Sequence, residues 1–149
     1  MGMFDSHDEL AAALAASDIE CSVEGNFVKV PIEKIKRAGS LQIVEGWLVF
    51  KVHLGNRRGG MNDAAYQTLL RLHDRLIGLR FSLSDGDFWV LQDFPIAVLG
   101  DDFAVYLRNV FWVLEAIVPT LDQHLSRGTP MSEDDIDAMF QRMEATRLN

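Results

Sequence analysis

Two short glycine-bearing dipeptides constrain the fold of this chain more than any other feature. Gly25-Asn26 interrupts "IECSVEGNFVKVP", and Asp85-Gly86 interrupts "LRFSLSDGDFWVLQ". Each lies between runs in which apolar and polar residues alternate, the pattern of a β-hairpin closed by a two-residue turn. Such a turn also sets the register. Around the first, Val23 faces Val28 and Cys21 faces Val30, with Ser22 and Lys29 on the other side. Around the second, Leu83 faces Phe88 and Phe81 faces Val90, while Ser82 meets Trp89 and Arg80 meets Leu91. An antiparallel sheet with one apolar face follows.

The segment "LQIVEGWLVFKVHL" is strand-like throughout, with Leu48, Phe50, Val52 and Leu54 alternating against Trp47, Val49, Lys51 and His53. Before it, "IEKIKRAGS" reads as a helical turn or a strand continuation, closed by Gly39-Ser40. Helices flank these strands. Ser6 and Glu9 form a capping box for a short helix carrying Leu10 and Leu14. Asn62 caps a second helix, with Ala65, Leu69, Leu72 and Leu76 at helical spacing. A long helix follows Asp101-Asp102; Pro119 predicts a kink within it, and its apolar residues cover more than one stripe. Ser132 caps a last helix bearing Ile136, Met139, Phe140 and Met143. The expected architecture is α+β: an antiparallel sheet of about five strands with helices on one face. Residues 1–149 are expected to form a single domain, with a core over 6–125 and an additional helix over 130–147.

The composition narrows the functional classes. A net charge of −8 repels phosphate backbones and argues against direct nucleic-acid binding. A single cysteine, Cys21, removes any internal disulfide framework. No apolar run approaches the ~20 residues that span a bilayer, and "MGMFDSHDEL" lacks the basic and apolar regions of a secretory signal. The expectation is a cytoplasmic protein with no membrane contact.

Carboxylates crowd "DGDFWVLQDFPIAVLGDDF", yet each has a structural use. Asp85 and Asp87 belong to the hairpin turn, Asp93 to a strand exit before Pro95, and Asp101-Asp102 to a helix start. The four histidines (His7, His53, His73, His124) share no metal-ligand spacing on one element. Glycine-rich phosphate loops and nucleophile elbows are missing from the sequence. Neither a catalytic residue nor a cofactor is expected. A metal-dependent hydrolase using Asp85, Asp87 and His73 stays open as an alternative, as does an accessory factor to a nucleic-acid-binding protein.

Apolar residues remain after one core is filled. Trp47, Val49, Trp89 and Leu91 fall on outer strand faces, where the last helix could cover them, and Phe111 and Trp112 lie off the main stripe of the long helix. Aromatic residues and methionine are the types enriched at protein interfaces. These six residues are the candidate protein-binding or dimer surface.

Residues 81–125, "FSLSDGDFWVLQDFPIAVLGDDFAVYLRNVFWVLEAIVPTLDQHL", with their "DFP" turn before an acidic helix start, resemble the YbjN family within the type III secretion chaperone-like fold. The likeness extends over roughly residues 6–125. It implies a non-enzymatic, cytoplasmic homodimer that binds a client protein, in a stress response or together with a nucleic-acid-binding protein. It transfers no catalytic residue. The helix after Thr129 departs from the basic pattern.

Overall fold

The computed structural model describes residues 6–56, 62–76, 78–84, 86–96, 102–127 and 129–147. Helix α1 (His7–Ala16) precedes β1 (Ser22–Glu24), β2 (Phe27–Ile32), a 3₁₀ turn (Glu33–Ile35), β3 (Arg37–Val44) and β4 (Trp47–Asn56). Then come α2 (Asn62–Arg75), β5 (Arg80–Ser84), β6 (Asp87–Pro95), α3 (Phe103–Arg127) and α4 (Glu133–Arg147). The strands form one antiparallel sheet of six in the order β1-β2-β3-β4-β6-β5.

Both hairpins have the register that their loops dictate. Val23 pairs with Val28 across Gly25-Asn26, and Leu83 with Phe88 across the two residues following Ser84. The first hairpin is shorter than its alternation implies: β1 begins at Ser22 and all three of its residues are exposed. Cys21 therefore lies before the ladder instead of opposite Val30. It packs beside α1, where its Sγ donates to the Ala11 carbonyl at 3.5 Å and burial pushes its thiol pKa up.

The sixth strand comes from splitting "LQIVEGWLVFKVHL". Glu45 and Gly46 both take positive φ, 47° and 83°, forming a two-residue turn between Val44 and Trp47. Gly39-Ser40 does not close a loop. Gly39 pairs with Val52 inside the sheet, and a Cβ built there would lie 2.3 Å from Phe50 Cε2. The glycine makes room for an aromatic ring, not for a turn. The preceding segment resolves into the 3₁₀ turn, which ends on Lys36 at φ 53°.

Alternation sends Val28, Val30, Leu41, Leu48, Phe50, Val52, Phe88, Val90 and Phe94 to one face, all buried. The helices pack there. Leu10 and Leu14 of α1, Leu69 and Leu72 of α2, and Leu107, Leu114, Ile117 and Leu121 of α3 join the same cluster. Met131, Ile136, Met139 and Met143 of the α4 segment join it too. Helix α3 runs unbroken across Pro119. Its Phe103–His124 stretch has a mean hydropathy of 1.3, long and apolar enough by composition to cross a bilayer, contrary to the sequence expectation. Its buried side chains, among them Leu107, Leu114, Ile117 and Leu121, pack in the core, and the helix contacts α2, the 3₁₀ turn and α4.

Polar contacts fasten the helices. Ser6 Oγ accepts from Glu9 N–H at 3.2 Å, capping α1. The Asp102 carbonyl accepts from Tyr106 N–H at the start of α3; Asp101 and Ala65 lie outside the described residues and side chains. Arg37 joins β3 to α3 through both Asp122 oxygens (2.8 and 3.0 Å) and donates to the Leu54 carbonyl at 2.9 Å. At α4, Ser132 Oγ accepts from Asp135 N–H at 3.1 Å and Asp135 Oδ2 accepts from Ser132 N–H at 3.2 Å. Hydrogen bonds from the Ser132 backbone and hydroxyl, with His124 nearby, hold the Asp135 carboxyl below its usual range. A depressed folded pKa stabilises the fold above the unfolded value, and this contribution is lost as pH falls through the folded value. In an NMR titration Asp135 is expected to ionise at lower pH than an exposed aspartate, and Ser132→Ala to return it towards the ordinary value.

Candidate binding surface on the open sheet face

The second face of the sheet carries the alternate residues of every strand, and the registers place them in rows. Val44, Trp47 and Pro95 stand side by side on β3, β4 and β6. Val44 and Trp47 are 41% and 47% exposed, and Pro95 is exposed as well. Gln42, Val49 and Asp93 follow, then Lys29, Ser40, Lys51, Leu91 and Arg80, then Ala38, His53, Trp89 and Ser82. Val49, Trp89 and Leu91 are half-buried among these neighbours.

Trp89 is the best-supported side chain of this face. Lys51 Nζ lies 4.7 Å from its ring centroid, and His53 meets it edge-on with centroids 5.0 Å apart. His53 Nε2 in turn lies 3.2 Å from Asp87 Oδ1, while Arg80 pairs with Asp93. An open groove of about 670 Å³ runs beside them, lined by Phe27, Lys29, Ser40, Gln42, Lys51 and Trp89 among others. A surface of flat aromatic and long cationic side chains binds by contact and charge.

The last helix does not cover this face. Helix α4 is held on the opposite side, through Thr68 and the ion pairs Arg71–Glu133 (3.6 Å) and Arg75–Asp137 (2.7 Å) with α2. It also packs against α3, and Arg75 of α2 lies over the Phe140 ring at 4.7 Å. Of the six surface candidates, Trp47, Val49, Trp89 and Leu91 share the open face. Phe111 and Trp112 do not join them: both pack partly buried against the core, Phe111 with its ring 5.7 Å from that of Phe50.

The hydrolase triad is likewise not assembled. His73 lies against Phe81 on the helix side of the sheet, with ring centroids 5.9 Å apart, whereas Asp87 faces His53 on the open side. Asp85 lies outside the described residues. Among the described residues no three His, Cys, Asp or Glu side chains converge as a metal site. Lys29 and Lys51, absent from the sequence candidates, are the added members of the open face. The same alternation that exposes Trp47 and Val49 also exposes Lys51, so the signal was there.

No protein-family model and no curated protein matches the sequence. Solved structures do. The type III secretion chaperone SycH of Yersinia pestis, crystallised with a stable fragment of YscM2, superposes with a TM-score of 0.47 at 17% identity, over 75% of this chain and 98% of its own. YbjN from E. coli superposes with a TM-score of 0.68 at 12% identity, covering 83% of this chain and 96% of its own. The chain has the YbjN fold.

Proposed function

We propose that this protein is a non-enzymatic, chaperone- or adaptor-like binding module that engages a partner protein through the open face of its sheet. One observation carries the reading: the four helices among the described residues pack on one face of a six-stranded sheet, leaving Val44, Trp47 and Trp89 exposed or half-exposed on the other. Large apolar and aromatic side chains cost solubility when left in water, and such patches mark interaction sites. Homodimerisation through the same face belongs to this reading, as does a cytoplasmic site of action.

Trp47→Asp and Trp89→Asp test it. Neither ring sits in the core, so circular dichroism and the thermal midpoint are expected to stay within a few degrees of wild type. Partner capture from native extract, read by mass spectrometry, and dimer mass, read by light scattering, are expected to fall at least tenfold. Variants that fold and still retain both partner and dimer would sink the proposal.

A further inference from the structure

The groove on the open face is basic although the chain is acidic, and this says what it binds. Its lining cations are Lys29 and Lys51, against the single carboxylate of Glu24. Nearby, Asp93 pairs with Arg80, and Asp87 lies 3.2 Å from His53 Nε2. Glu24 accepts a hydrogen bond from Ser22 Oγ. Meanwhile the acids that give the chain its charge of −8 gather elsewhere, for example Glu133, Asp134 and Asp135 in the first turn of α4. Two lysines against one carboxylate give this groove a local charge opposite in sign to that of the whole chain, which favours an anionic partner there.

Shape narrows the occupant further. The groove crosses from β1 to β6, four strand spacings or about 19 Å, the length of about six extended residues. Lys29 and Lys51 share one row, on strands two spacings or about 10 Å apart. A polyproline II segment repeats its side-chain direction every third residue, at about 3.1 Å per residue, so acids at i and i+3 stand about 9 Å apart on one side. Trp89 and Leu91 offer apolar surface beside that line.

We propose that the open-face groove binds an extended acidic peptide segment, with carboxylates three residues apart meeting Lys29 and Lys51 and an apolar side chain resting on Trp89. This rests on the binding-module reading and specifies the chemistry of its partner.

The probe is a fluorescein-labelled eight-residue peptide with glutamates at i and i+3, prolines between them and a leucine after, alongside its glutamine counterpart. By fluorescence anisotropy at low salt, wild type is expected to bind the glutamate peptide at least tenfold more tightly than the glutamine one. The Lys29→Gln/Lys51→Gln protein, with an unchanged circular dichroism spectrum, is expected to lose that preference. Equal binding of both peptides by wild type would overturn the acidic specificity while the protein-binding reading stands. Failure of both peptides to bind would also overturn it, and that reading would still be judged by the Trp47 and Trp89 variants. A single-stranded oligothymidylate binding more tightly than the glutamate peptide would overturn it in favour of a nucleic acid.

Discussion

Replacing Gly39 with valine is expected to destabilise the protein by about 3 kcal/mol, the upper end of what overpacking a core costs. Strand preference alone gives the opposite sign, because valine is favoured over glycine in strands by up to about 1 kcal/mol. Sterics decide. The added Cβ would sit 2.3 Å from Phe50 Cε2 and 2.7 Å from Phe50 Cζ. That ring cannot swing aside cheaply, since Phe50 is fully buried and packed against Phe111 of α3. Urea denaturation should show a lower midpoint with little change in slope. A smaller partner supplies the control. Phe50→Leu costs stability by itself, but Gly39→Ala should be less harmful in that background, giving a favourable coupling in a double-mutant cycle. A Gly39→Val protein as stable as wild type would refute the packing argument.

The second large effect concerns how α4 is attached. Thr68 is a fully buried polar residue on α2, and its Oγ1 accepts from the Met131 N–H at 2.9 Å. Met131 is itself fully buried, and its carbonyl accepts from Arg71. Thr68→Val keeps the shape and removes the acceptor, leaving a buried N–H unpaired at a cost of about 1–3 kcal/mol. Thr68→Ser keeps the acceptor and should recover most of that loss. Hydrogen exchange adds a local readout: amides of α4 are expected to lose protection before those of β3 and β4. Uniform protection in Thr68→Val would mean that apolar packing of Met131, Ile136 and Met139 alone holds the helix.

These two residues show how the hidden parts of the structure differ from the legible ones. Helix starts at Ser6 and Ser132 were readable because caps act within three residues. Hairpin registers were readable because a two-residue loop leaves one pairing. The role of Gly39 was not, because its reason is a ring eleven positions later on the neighbouring strand. A glycine next to a serine has the same local appearance whether it turns the chain or receives an aromatic side chain. The Glu45-Gly46 turn was hidden for a related reason: glutamate rarely takes positive φ, so the dipeptide gave a weak turn signal.

The candidate site divides along the same line. Alternation in the sequence was enough to put Trp47 and Val49 on one face of a strand, and Trp89 and Leu91 on one face of another. Alternation has period two and no memory of neighbours, so it assigns a face but not a partner strand. That β4 pairs with β6, past the intervening α2 and β5, is a non-local choice of the packed chain, and only this pairing brings Lys51 and His53 against Trp89. The side taken by α4 was equally undetermined, because its apolar stripe fits either face of the sheet. Its burial against the core, next to α2 and α3, keeps the opposite face open and turns a set of leftover apolar residues into a surface.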